Sequence, residues 1–378
     1  MLIVPVVFTA IVCAVISMDD LKKMRRISLK AFALYSISMI VASIICLSVA
    51  TLMAPGKGLH ITTLHAMSPV DTLPSLSELL VNIIPSNPVS AFASGNILQI
   101  LMFALLLGLS INLAGPKAQS VADFFKAFST VAIKLTHIVM VFAPLGIYAL
   151  MAWVSGEYGL SVLIPLLKLV FTIYLCCFLM GLIFYSGSLF LIAKINPLKF
   201  FKAIAAPMLV AFSTSSSAAT LPVTMECAEK KLGVPPRLSG FLLPLGTTMN
   251  LNGLSIYLGC ATVFAANIAG VELNFMQYLT IIFTTMITSM GAGGIPGSGI
   301  IVMSTVMSSV GLPLDAITLI AGVDRINDMM QTATNVTGDL FAAVMIAKSE
   351  DVLASHTEIN DNIQLDNGDL AINYEQQG

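Results

Sequence analysis

The sequence predicts an all-α protein that crosses a membrane several times and is built around an inverted repeat. Three observations carry that expectation. The 378 residues are 57% hydrophobic and only 10% charged, whereas a soluble domain carries about 25% charged residues. Apolar stretches long enough to span a bilayer recur along the chain, for a mean hydropathy of +0.92. In the second half, two of these stretches are broken at depth, and each broken stretch is followed by an apolar segment with a polar stripe.

Stretches of spanning length fall near 1–17, 29–53, 98–114, 127–153, 159–193, 238–268, 276–290 and 316–347. Residue 1 already lies inside an apolar run with no basic region before it, which is not the pattern of a cleavable signal peptide. Lys22, Lys23, Arg25, Arg26 and Lys30 fill the first connection, so the positive-inside rule expects that loop in the cytoplasm. The stretch 54–97 has only Lys57 and is expected to face out. Lys117 and Lys126, then Lys194, Lys199 and Lys202, then Lys230, Lys231 and Arg237 mark later connections. Beyond Lys348 come seven acidic residues and no Lys or Arg, so 350–378 reads as a solvated, disordered cytoplasmic tail.

Cys13, Cys46, Cys176, Cys177, Cys227 and Cys260 show no CxxC spacing and read as small core residues. His60, His65, His137 and His356 form no paired-ligand pattern, so no transition-metal site is indicated. No feature of the charge pattern calls for a nucleic-acid partner. The partners implied are the lipid bilayer and a small molecule.

The first interrupted segment is AFSTSSSAATLPVTM (Ala211 to Met225), with seven Ser/Thr and Pro222 in fifteen residues. The second is SMGAGGIPGSG (Ser289 to Gly299), with five glycines and Pro296 in eleven. Each precedes a striped helix: MNLNG at Met249–Gly253 in one, and the aspartates of 316–347 in the other. Irregular backbone survives in a bilayer only where it lines a cavity or is covered by protein. Paired interruptions at matching positions are the best sequence pointer to a transporter's binding site. Helix packing explains either motif alone, through Ser/Thr hydrogen bonds or close glycine approach, but it does not explain the pair.

At 100° per residue, Asp324, Asp328, Gln331, Asn335 and Asp339 fall within about 80° of one helix face. A carboxylate at the bilayer midplane costs roughly 2.5–3.5 kcal/mol on the insertion scale, so three left unpaired cost about 8–10 kcal/mol. Such a stripe faces a wet cavity, a cation or a polar ligand. An intramembrane aspartyl protease needs two aspartates facing each other from different helices, and here all three share one helix. A pure channel is disfavoured, because there are no repeated charged rings and no filter-like carbonyl motif. The Asn335-Val-Thr sequon lies deep in the apolar span and reads as site chemistry, not as a glycan acceptor.

IIPSNP (Ile83–Pro88), APLGIYAL (Ala143–Leu150), TSSSAATLPVTM, LPLGTTMNLNG (Leu243–Gly253), GAGGIPGSG and NVTGD (Asn335–Asp339) together resemble the dicarboxylate/amino acid:cation symporters over roughly 1–349. The resemblance implies a homotrimer in a bacterial inner membrane, with two re-entrant hairpins and an elevator motion. Residues 1–197 are then mainly scaffold and trimerisation helices plus an early transport-core helix. The transport core covers 198–349: hairpin 198–232, helix 238–268, hairpin 276–311 and helix 314–348. Family members start with an additional helix, and this chain opens at what looks like their second. The first transmembrane helix is therefore expected to be missing, and an inactive truncated member is one alternative.

For the site, the resemblance implies that Asp328 holds a substrate ammonium while Asn335 and Thr332 assist the main-chain amine and carboxylate. Ser216 and Ser217 add donors from the first hairpin tip, and Gln331 reads the side chain. Gly294, Ile295 and Gly299 belong to the second tip, which acts as a lid. Carriers of acidic amino acids place an arginine at the position of Gln331, or in the first hairpin at the position of Ser215. A second carboxylate here lacks that charge-assisted partner, worth about 1.5–3 kcal/mol. A neutral amino acid is therefore favoured over an acidic amino acid or a C4-dicarboxylate. Asp324 is expected to pair with Arg325 or a neighbouring helix, or to be linked to the cation.

No cofactor is expected beyond the coupling ion, Na+ or H+. By resemblance, one Na+ site uses Gly246, Asn250, Asn335 and Asp339, all hard oxygen donors. A second pairs Tyr35 and Ser38 with an aspartate, but here that position is Asn252 and a neighbouring serine is Met39, so it is expected to be weak. A third uses carbonyls near Thr248 and from Ser289 through Met290 to Ala292, and there the family's methionine is Leu251. Fewer coupled Na+ ions than in archaeal relatives, or proton coupling, are expected.

Overall fold

Apolar composition and the 3.6-residue period leave backbone groups only one way to be satisfied inside lipid, within helices. Every regular element among the described residues is helical. The computed structural model describes residues 3–16, 24–59, 84–94, 97–142, 162–292, 294 and 296–353, with isolated positions between 145 and 156. The acidic tail beyond 353 and the tip residue Ile295 lie outside the described residues.

The first half contributes α1 (Ile3–Ile16), α2 (Met24–Met53), α3 (Pro88–Ser94), α4 (Ile97–Ala114), α5 (Gln119–Met140) and α6 (Leu163–Ala193). Helices α1, α4 and α5 pack together, joined by rings of Phe8, Phe92, Phe103 and Phe125 with centroids 4.8 to 6.1 Å apart. One side of α5 and α6 exposes Phe124, Val131, Leu167, Phe171 and Phe178, an apolar surface suited to lipid. Helix α6 passes through π-type turns at Met180–Tyr185, which put the Tyr185 ring inside the molecule.

The second half contains α7 (Pro197–Ala203), α8 (Ala205–Thr214), α9 (Ser217–Lys230), α10 (Pro236–Met249), α11 (Asn252–Ala269), α12 (Phe275–Ala292), α13 (Ser298–Ser309), α14 (Ala316–Ala321) and α15 (Asp324–Ser349). Helices α8 and α9 form one helix–break–helix pair, and α12 and α13 form another. Their breaks coincide with the two interrupted motifs.

Two expected helices turn out divided. The span 238–268 is split at Asn250 and Leu251, whose ψ angles of +64° and +63° leave the helical region. The span 314–348 is split at Gly322 and Val323, so the aspartate stripe begins on the first residue of α15. Helical periodicity continued through both places and hid the breaks.

Helix α15 is the hub. It touches α8, α9, α10, α11, α6 and α2, and most of its length is buried although it is the most polar of the long helices. Four segments are long and apolar enough to cross a membrane by length and composition: Arg26–Met53, Leu163–Ala193, Pro236–Ala269 and Phe275–Ala292. Of these, Pro236–Ala269 is almost wholly interior, so the broken helix lies at the centre with α15.

Candidate functional site

The site grows from α15. Asp324, Asp328, Gln331, Thr332, Asn335 and Asp339 are all buried, none more than 7% exposed. Donors reach this face from the end of α10, from α11 and from the second break.

From the second broken pair, Gly297 donates its N–H to Asp328 Oδ2 at 3.1 Å. Gly297 sits at φ +76°, the left-handed region where glycine carries no Cβ penalty, and this turns its N–H toward α15. From α11, Gly253 donates its N–H to Asn335 Oδ1 at 2.8 Å, and the Tyr257 hydroxyl donates to Asp324 Oδ1 at 2.8 Å. Asp324 thus takes its partner from a neighbouring helix, one of the two outcomes expected for it. Gly299, expected at the tip, lies in the first turn of α13, where a Cβ would stand 2.7 Å from the Tyr257 ring.

The first break brings Ser215, Ser216 and Ser217 to the same region. Ser215 is in the left-handed conformation at φ +51° and ends α8. Ser216 caps α9, its Oγ accepting from the Ala219 N–H and donating to the Gly294 carbonyl, both at 3.2 Å. The Ala218 N–H also reaches that carbonyl, at 3.4 Å. The two tips are therefore in direct contact, and a side chain at Gly294 would collide with the Thr247 carbonyl at 2.5 Å.

Several buried polar atoms here have no hydrogen-bond partner among the described residues: Ser215 Oγ, Ser217 Oγ, both amide atoms of Asn327, Gln331 Nε2 and Asp339 Oδ2. Interiors normally pair such groups, and an unpaired one costs about 1–3 kcal/mol. Their concentration on α15 and the facing tip is what a binding site for polar solutes requires.

Deeper along α15 lies a second polar knot. Asn250 donates from Nδ2 to Asp339 Oδ1 at 2.9 Å. Asn252 donates from Nδ2 to the Tyr185 hydroxyl at 2.8 Å and to Asn250 Oδ1 at 3.1 Å. Ser38 Oγ lies 3.0 Å from Asn252 Oδ1, and the Tyr35 hydroxyl donates to the Leu242 carbonyl at 3.0 Å. Gly246 backs onto Asp339, where a Cβ would fall 2.5 Å from Oδ1. Tyr35, Ser38, Gly246, Asn250, Asn252 and Asp339 thus lie together, with Met39 and Leu251 also buried, while Asn335 Oδ1 is engaged by the Gly253 N–H. Asp339 Oδ2 has no hydrogen-bond partner among the described residues. Around Asn252, by contrast, protein donors and acceptors satisfy one another.

The residues expected for the third cation site are more dispersed in their bonding. Ser289 Oγ pairs with Ser255 Oγ at 3.1 Å, while Thr248 Oγ1 donates to its own helix at the Leu245 carbonyl, 2.9 Å away. Ala292 is buried and Met290 half-buried at the end of α12. Tyr185, Tyr257 and Asn327 were not anticipated from sequence. A phenol within an apolar span needs a partner, which was a usable signal for both tyrosines.

The profile of the sodium:dicarboxylate symporter family matches residues 1–349. The chain belongs to that family. It is similar to the C4-dicarboxylate transport protein of Bacillus subtilis (strain 168), with 36% identity over 93% of this chain and 84% of the relative. The proton/sodium-glutamate symport protein of Bacillus caldotenax is 32% identical, over 93% and 85%. The proton/glutamate-aspartate symporter of Bacillus subtilis (strain 168) is 32% identical, over 96% and 89%. The chain is thus a membrane protein of a cation-coupled symporter family, with four segments long and apolar enough to cross a membrane.

Proposed function

We propose that this family member couples the uptake of a neutral amino acid to Na+ or H+ across a bacterial inner membrane. The observation that carries the reading is the polar face of α15. It offers a buried carboxylate, Asp328, and neither Gln331 on the same helix nor Ser215 at the first break supplies the guanidinium that a carrier of acidic substrates needs. The ammonium of an amino acid would pair with Asp328, and its main-chain carboxylate would take donors from Asn335, Thr332 and the α9 N-terminus at Ser216 and Ser217. That helix end supplies a favourable dipole, and the Ser217 hydroxyl, unpartnered among the described residues, stands in its first turn.

The names of the relatives favour a second reading, a C4-dicarboxylate or an acidic amino acid. A C4-dicarboxylate brings no ammonium to Asp328, and its second carboxylate meets Gln331 with no formal positive charge. Loss of that charge-assisted bond is worth about 1.5–3 kcal/mol, roughly 10- to 150-fold in affinity. Competition of labelled serine or alanine uptake by excess aspartate or succinate in proteoliposomes tests the choice. Weak competition is expected, and strong competition by either acid overturns the neutral substrate.

For coupling, Asp339 with Gly246, Asn250 and Asn335 is the proposed Na+ site. The self-satisfied Asn252–Ser38–Tyr185 cluster argues against a strong second one. Charge-to-substrate flux ratios should fall below those for three Na+ ions. Alternating access would follow the elevator scheme: residues 198–349 with one earlier helix moving as the transport core, the second tip acting as the lid, and three copies assembling through the remaining helices.

A further inference from the structure

Asn327 has no role in anything described above, yet it is fully buried and both its amide nitrogen and its amide oxygen lack a partner among the described residues. It lies one helical turn before Gln331, whose Nε2 is likewise buried and unpartnered. Residues at i and i+4 stand on one side of a helix with Cβ atoms about 5–6 Å apart. The two amides are therefore neighbours, and together they present two NH2 groups and a carbonyl oxygen that no described group satisfies. Their other neighbours on α15 are already engaged: Asp324 by the Tyr257 hydroxyl, Asp328 by the Gly297 N–H and Asn335 by the Gly253 N–H.

We propose that Asn327 and Gln331 form a paired-amide subsite that selects substrates whose side chain ends in a hydroxyl or a carboxamide, the class of serine, threonine, asparagine and glutamine. This rests on the neutral amino acid reading and narrows it. An alkyl side chain would leave all the amide atoms unmet. A carboxylate would accept from the two nitrogens but would face the Asn327 oxygen and the Asp324 carboxylate. Hydroxyl and carboxamide groups both donate and accept, which suits a site offering both. A site built to hydrogen-bond a substrate group rejects the analogue that lacks it more strongly than an apolar pocket rejects an added methylene.

The test compares near-isosteric pairs in proteoliposomes of the full chain: threonine with valine, and asparagine with leucine. The polar member of each pair should be taken up with a kcat/KM at least about tenfold higher. Asn327→Leu should narrow that ratio toward unity, and Gln331→Met should narrow it too, so the outcome does not hang on one variant folding. In detergent without substrate, Asn327→Leu should keep or raise Tm, because an unpaired amide is replaced by an apolar group of similar volume. The threonine-induced rise in Tm should shrink at the same time. Uptake of valine as efficient as that of threonine by the unaltered protein overturns the subsite while leaving the neutral amino acid reading intact. So does a threonine-to-valine ratio that both variants leave unchanged. Failure of every neutral amino acid to be taken up overturns both.

Discussion

Asp328 and Asn252 show how single atoms set the behaviour of a buried site. Asp328 has one oxygen bonded to a backbone N–H of the tip, a neutral donor that leaves its formal charge in place. Asp328→Asn keeps the shape and removes the charge; uptake should fall roughly 10- to 150-fold, as for a lost charge-assisted hydrogen bond, with Tm held or raised. Initial rates and thermal melting of the same preparation check this. Asn252 is the converse case, a neutral amide already bonded to Tyr185, Ser38 and Asn250. Asn252→Asp would bury an uncompensated carboxylate, which costs several kcal/mol without a counter-ion. Its Tm should therefore drop in Na+-free buffer and recover with Na+ far more than that of the unaltered protein, by mass action on a restored cation site. Equal Na+ responses would mean that the geometry there no longer admits an ion.

At the scale of elements, the breaks matter more than the helices. The four-residue sequence Asn250–Gly253 ends α10 and starts α11, and its last residue is pressed against α15. A Cβ at Gly253 would lie 2.2 Å from the Gln331 carbonyl oxygen, which is rigid backbone. Gly253→Ala should therefore push α11 off α15, costing at least the 1–3 kcal/mol typical of overpacking (an approximate range) and breaking the Gly253–Asn335 bond. Loss of uptake together with a lowered Tm is the expected result, whereas a variant with normal transport would show that this contact is not needed. Ser216→Ala removes an N-cap and one of two donors to Gly294, with a cost of about 1 kcal/mol. The breaks within the two helix–break–helix pairs were legible because Ser/Thr, Gly and Pro disturb an otherwise apolar run. The break at Asn250–Leu251 was legible only as a polar patch, since asparagine and leucine do not by themselves forbid a helix.

At the scale of the molecule, the start of α2 and the end of α15 meet. Arg26 and Lys30 at the start of α2 both pair with Glu350, and Lys30 Nζ also lies 3.0 Å from Ser349 Oγ. The Lys30 ammonium, then the Arg26 guanidinium, hold the Glu350 carboxyl below its ordinary range. A lowered folded-state value stabilises above the unfolded carboxyl's pKa, about 4.3, and that stabilisation is lost as pH falls through the folded value. Glu350→Gln should thus lower Tm slightly at pH 7, by about 2 °C for so exposed a cluster, and lose its effect in acid or at high salt. A difference from the unaltered protein that persists at pH 3 would exclude the ion pair as its cause. The all-helical character, the two interrupted motifs and the polar stripe of α15 followed from the sequence alone, because hydropathy and 3.6-residue periodicity are local properties that lipid enforces. Three things did not follow: that Tyr185 meets Asn252, that Tyr257 meets Asp324, and that Asn327 is buried without a partner. The two pairs join residues 67 positions apart, and only the packing of α6, α11 and the two tips around α15 decides which buried polar groups meet and which do not.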